Sequence, residues 1–110
     1  MHWKLTSLVL LAAPLALAAC DPQVVADKAL RRTAEQVVQP VLAQELPGNL
    51  ADAATRCILD AANQGEINGL ARDIGVEAGT LTKQNIRIIA KRPAAGACFA
   101  ANGVPPLKPL

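Results

Sequence analysis

From residue 21 onward, apolar residues recur at three- and four-residue intervals, and this pattern predicts a chain of short amphipathic helices. In the first, Val25, Leu30, Ala34, Val37, Val38, Val41 and Leu42 fall close to one stripe. Asp27, Lys28, Arg31, Arg32, Glu35, Gln36 and Gln39 fill the other face. Asp21 is placed to cap it, and Pro22 suits a first helical position because its missing N–H would have had no partner there. Pro40 is expected to kink or divide this helix, and Pro47-Gly48 to end it. A second helix, capped by Asn49 and running to about Ala62, places Leu50, Ala54, Cys57, Ile58 and Ala61 on its apolar face. Asp52, Arg56 and Asp60 lie opposite.

Asn63 followed by Glu66 has capping-box spacing and opens a third helix. Ile67, Leu70, Ala71 and Ile74 follow at i, i+3, i+4 and i+7, with Gly75 as the stop. Thr80 is expected to cap a fourth helix whose Leu81, Ile88 and Ile89 face inward. Ile86-Arg87-Ile88 alternates and would also suit a strand, but no second strand is visible to pair with it. Arg92-Pro93 breaks the segment, Ala94 to Ala101 forms a last short helix carrying Cys98 and Phe99, and Gly103 stops it. The expected fold is therefore all-α, of four to five short helices over residues 20–103. An extended Pro-rich tail occupies 104–110, because Pro cannot continue a helix. Its Pro106 to Pro109 is a P-x-x-P spacing, which reads as a rigid tail.

The first twenty residues follow different rules. Lys4 gives a mildly basic start, Leu5 to Leu17 is apolar apart from Thr6, Ser7 and Pro14, and Leu17-Ala18-Ala19-Cys20 closes the stretch. A basic start, a short apolar core and small residues describe a secretory signal over 1–19, too short to span a membrane. Leu-Ala-Ala-Cys resembles the lipobox of bacterial lipoproteins, which implies cleavage before Cys20 and a diacylglycerol on its thiol. The expectation is a lipid-anchored protein on the periplasmic face of the cell envelope, its membrane left open. An Asp after the cysteine, here Asp21, resembles the inner-membrane retention signal of enteric bacteria, a rule other bacteria follow poorly.

Removing 1–19 changes the composition. Ninety-one residues remain, one domain near the lower size for a self-sufficient core. Phe99 is the only remaining aromatic residue, so the core must be built from close-packed small aliphatic side chains. Lys plus Arg falls from 11 to 10 against 9 acids, and a net charge near +1 argues against nucleic acid as a partner. Arg31-Arg32 could touch anionic lipid headgroups, but Asp27 and Glu35 dilute their charge and a solvated face is the simpler reading. Of three cysteines, Cys20 is the anchor. Cys57 and Cys98 then form an even pair in an oxidising compartment, expected as a disulfide.

Candidate chemistry is sparse. The only His is His2 and the only Ser is Ser7, both in the signal, so the mature chain holds no Ser-His or Cys-His pair. It has no zinc-ligand set, haem motif, GxGxxG or P-loop, and no cofactor is expected. The acids Asp52, Asp60, Glu66, Asp73 and Glu77 could in principle serve as a catalytic pair or calcium ligands. They lack the aromatic platforms of a glycosidase and the spacing of a calcium loop. These residues carry no catalytic expectation: the enzyme question leans to no.

Three segments carry a wider resemblance: Val38-Gln39-Pro40-Val41-Leu42-Ala43 with Leu46-Pro47-Gly48, Cys57-Ile58-Leu59-Asp60 with Glu66-Ile67, and Arg92-Pro93 with Cys98 and Asn102-Gly103. Together with the lipobox they are similar to a group of small, uncharacterised envelope lipoproteins of Gram-negative bacteria. With the lipobox and the missing catalytic side chains, the expectation is a non-enzymatic binding or structural module held to the membrane by lipid on Cys20, acting on a protein or lipid partner of the envelope. Some members carry a succinate dehydrogenase label, and the alternative is an accessory subunit of a respiratory enzyme or a small envelope enzyme. This chain has none of the flavin-binding glycines, iron–sulfur cysteines or spanning helices that label would need.

Overall fold

A computed structural model describes residues 21–75 and 78–109. The segment 1–19 and the anchor Cys20 lie outside them. Among the described residues five helices follow in order: α1 (Pro22–Leu42), α2 (Gly48–Ala61), α3 (Gln64–Ala71), α4 (Thr80–Ala90) and α5 (Pro93–Ala101). There is no strand among the described residues, so Ile86-Arg87-Ile88 is helical. The chain is all-α, as its periodicity requires.

Asp21 caps α1 by accepting a 2.9 Å hydrogen bond from the Gln23 backbone N–H, with Pro22 in the first turn. Pro40 does not divide the helix, which continues to Leu42. Val38, Val41 and Leu42, on either side of the proline, are buried, and their packing outweighs one missing backbone bond. The turn that follows is short and wound: the Leu46 N–H donates to the Leu42 carbonyl at 2.9 Å, and Leu46 itself is buried.

α2 begins one residue earlier than its expected cap. Pro47 occupies the N-cap position, Asn49 lies inside the first turn, and no side chain caps this end. Asn63 and Glu66 form the reciprocal capping box at α3, with bonds of 2.8 Å and 2.9 Å. Gly103, directly after the Asn102 cap of α5, has φ of +67°, the left-handed conformation that ends a helix and that glycine adopts without strain; Gly75, with φ of +82°, lies in the turn after α3, which ends at Ala71.

The core gathers Ala34, Val38 and Leu42 of α1 with Ala54, Ile58 and Leu59 of α2, Ile67 and Leu70 of α3, Ile86 and Ile89 of α4 and Phe99 of α5. α1 packs on both α2 and α3, while α2 packs on α4 and α5 from its other side. α2 is thus the central element. Five large side chains, Leu42, Ile58, Leu59, Ile86 and Ile89, are essentially fully buried. Each contributes about 1.5–3 kcal/mol relative to exposure.

Three expectations about facing are corrected. Val25 is 64% exposed, because α1 projects beyond the body before the core begins. Ile74 is 44% exposed, because α3 ends at Ala71 and the following turn rotates it outward. In α4, Leu81 and Ile88 are exposed at 70% and 58%, and the buried positions are Thr82, Ile86 and Ile89. The helix also starts at Thr80 with Gly79 as its cap, so Thr80 makes no cap bond. Thr82 can turn inward because its hydroxyl donates to the Asp73 carboxylate at 2.6 Å, which meets the polar group's need for a partner. The tail 104–109 carries no helix or strand, and it docks: Val104 is buried and Leu107 packs against the core.

Candidate functional site

Cys57 is bonded to Cys98, with 5.5 Å between their Cα atoms. The bridge ties α5 to the middle of α2. Cys57 is buried, and Asn102 closes the last turn of α5 by donating to the Cys98 carbonyl at 2.8 Å. The pair is structural staple rather than reactive thiol in this oxidised form.

The structure also shows what the candidate acids do. Asp60 takes a 2.6 Å ion pair from Arg31, which also faces Glu35 at 3.6 Å. This pairing ties α1 to the end of α2. Asp73 accepts from Thr82. Asp52 is exposed and, with Arg32, Glu35 and Arg56, lines a shallow polar depression between α1 and α2. Glu77 lies outside the described residues. The four described acids therefore do not converge on one site, and no group of three metal-ligating side chains occurs among the described residues.

Glu66 has two tasks. Besides closing the α3 capping box, its two oxygens receive Arg92 Nη1 and Nη2 at 2.7 Å each. Arg92 Nη1 also donates to the Ala61 carbonyl at the end of α2, at 3.0 Å. One guanidinium therefore fastens the end of α2, the start of α3 and the start of α5. Its hydrogen bonds hold the Glu66 carboxyl below its ordinary value, against partial burial that raises it, with the Asn63 N–H lowering it further. The same contact raises the Arg92 guanidinium. From the sequence, Arg92-Pro93 reads only as a break; an arginine's partners 26 residues away leave no local signal.

A second ion pair organises the other end of the domain. Glu45 Oε1 accepts Arg87 Nη2 at 2.6 Å, and Oε2 accepts the Lys108 backbone N–H at 3.1 Å. Arg87 Nε donates to the Lys108 carbonyl at 2.8 Å. This closed triangle clamps the tail against α4 and the turn after α1.

Between α4, α5 and the clamped tail lies a groove of about 580 Å³, within the range of small-ligand sites. Its walls are mainly apolar: Ile88 of α4, Phe99 and Ala100 of α5, and Val104, Pro106 and Leu107 of the tail. Gly96 leaves one wall open, since a side chain added there would meet nothing within 4 Å. Gln84, Arg87, Lys91 and Lys108 supply the polar lining, and no acid contributes to it. The sequence did not announce this groove. Ile88 reads as a core residue and the tail as a spacer, and only the docking of 104–109 turns them into facing walls. Among the described residues no helix is long and apolar enough to cross a membrane. No protein-family model, curated protein sequence or solved structure matches the chain.

Proposed function

We propose that this chain is an envelope lipoprotein, held by lipid on Cys20 at the periplasmic face of a membrane, and that it serves as a non-enzymatic binding module. The observation that carries this reading is the form of α1. Its cap, Asp21, directly follows the cysteine, and its first two turns are exposed apart from the half-buried Asp27 and precede the core. Eight residues, Pro22 to Ala29, form a helical stalk of about 12 Å between anchor and body. Val24 and Val25 on that stalk are 47% and 64% exposed, and a bilayer interface would cover them. The groove at α4, α5 and the tail is the surface offered to a partner.

Metabolic labelling with a fatty-acid analogue tests the anchor. The wild-type chain incorporates label and Cys20→Ser does not; equal labelling of both overturns the lipoprotein reading. Several acyl chains on one cysteine anchor stably, where a single chain binds only marginally. A pull-down from membranes tests the module reading. Recovery of a respiratory complex would support the accessory-subunit alternative instead.

A further inference from the structure

The groove's lining is unbalanced in a way that selects a ligand. Its walls are aliphatic and aromatic, and its charged members are all cations. Of these, Arg87 is committed to Glu45 and the tail backbone. The ammonium groups of Lys91 and Lys108 make no hydrogen bond or ion pair with another described residue. All three belong to the lining: Lys91 lies one helical turn after Arg87, and the Lys108 backbone carbonyl accepts from Arg87 Nε. An apolar trough whose lining includes two lysines with uncommitted ammonium groups complements a molecule with a long alkyl chain and a single negative head.

We propose that this groove binds a long-chain fatty-acid anion, its alkyl chain against Ile88, Phe99, Val104 and Leu107 and its carboxylate beside Lys91 and Lys108. Burying the alkyl chain supplies the affinity. The lysines supply selection for a charged head over a neutral one, since their stems can follow the apolar wall while the ammonium stays in water. Ile88 is 58% exposed on a helix whose other face fills the core, so an apolar occupant would cover a side chain that the fold itself leaves uncovered. The tail completes the site, and the Glu45–Arg87 clamp holds the tail in place. This assignment rests on the groove being the binding surface of the module proposed above.

The test uses the full-length chain in isolated envelope membranes. A palmitate carrying a terminal diazirine is added, activated by light, and the modified peptides are mapped by mass spectrometry. The expected label falls on peptides containing Ile88, Phe99 or Leu107. Gly96→Trp, which places a large side chain into the groove where the backbone has room for one, reduces that label to background. Lys91→Glu with Lys108→Glu, two exposed positions, lowers it roughly fivefold or more while leaving the fold intact. The methyl ester of the same probe labels these peptides more weakly than the acid in the wild type and is insensitive to the double charge reversal. Label spread evenly over exposed residues, or unchanged by both variants, overturns the site. Equal labelling by acid and ester overturns the anionic ligand. A cross-link from Ile88 to a second copy of the chain, in place of the acyl label, assigns the groove to self-association and also overturns it. Loss of the groove label with Cys20 still acylated removes the ligand and leaves the anchor standing. Failed acylation with the groove label retained does the reverse.

Discussion

Glu45 and Arg87 are 42 residues apart and meet through a 2.6 Å hydrogen-bonded ion pair, with only 15–16% of either side chain exposed. The pair joins the turn after α1 to α4, and both partners also bond the backbone of Lys108. Removing one partner leaves a poorly hydrated charge and a tail bound by one contact fewer. Glu45→Ala should cost about 2–3 kcal/mol, below the figure for a fully buried pair. Thermal melts would measure this. Limited proteolysis should show faster cleavage within 104–109 in the variant, and Arg87→Lys should restore little, because an ammonium cannot serve both Glu45 and the Lys108 carbonyl in the fork geometry. Unchanged melting and unchanged tail protection would show that the clamp contributes nothing.

The Cys57–Cys98 bond closes a loop with a sequence separation of 41. In the chain-entropy account a loop of that length stabilises by about 4 kcal/mol, a large share of the stability of a domain this size. Reductant should therefore lower the melting temperature sharply, and Cys57→Ala with Cys98→Ala should reproduce the drop. Mass spectrometry of the non-reduced protein should yield one linked Cys57–Cys98 peptide. Free alkylation of both thiols under native oxidising conditions would contradict the staple.

Acid should loosen the junction at Glu66. Its folded value is depressed by Arg92, so its contribution is fully present above its ordinary value of 4.5 and is lost as pH falls through the lower folded value. Stability measured by denaturant titration should fall on acidification below about pH 4.5, and Glu66→Gln should flatten that part of the profile. A variant profile that overlays the wild type at low pH would remove Glu66 from the acid response.

The rotation of α4 can be tested by paired substitutions. Leu81 is 70% exposed while Ile86 is fully buried. Leu81→Lys should change stability by no more than about 0.5 kcal/mol, as exposed substitutions do. Ile86→Ala should cost about 2–5 kcal/mol through lost contacts and a cavity. Chemical denaturation of both variants checks this, and the reverse ranking would restore the sequence-based facing of the helix.

Local signals placed some helix ends and missed others: Asn49 and Thr80 read as caps, yet Pro47 and Gly79 hold those positions. Asp21-Pro22, the Asn63–Glu66 box and Gly103 act through hydrogen bonds and φ angles within a few residues, so the sequence alone placed those boundaries, whereas α3 ends at Ala71, four residues before Gly75. Sequence alone also placed the helical class and the inward facing of Ala54, Cys57 and Ile58 of α2 and Ile67, Leu70 and Ala71 of α3, which the periodicity turned inward and the core buries. In α4 two apolar sets compete, Leu81 with Ile88 and Ile86 with Ile89. Only the position of α2 and the Asp73 carboxylate beside Thr82 decide which turns inward. Pro40 stays within a helix because neighbours far along the chain bury Val38, Val41 and Leu42. The pairing of Cys57 with Cys98 could be inferred by counting, since two cysteines remain once Cys20 is set aside. The partners of Glu45, Arg87 and Arg92 could not, since they come from distant segments and a charged side chain in sequence reads the same whether solvated or clamped. The groove belongs wholly to the tertiary structure: its walls are an exposed isoleucine, a short helix and a proline-rich tail. They become one site only because the Glu45–Arg87 pair holds the last of these against the other two.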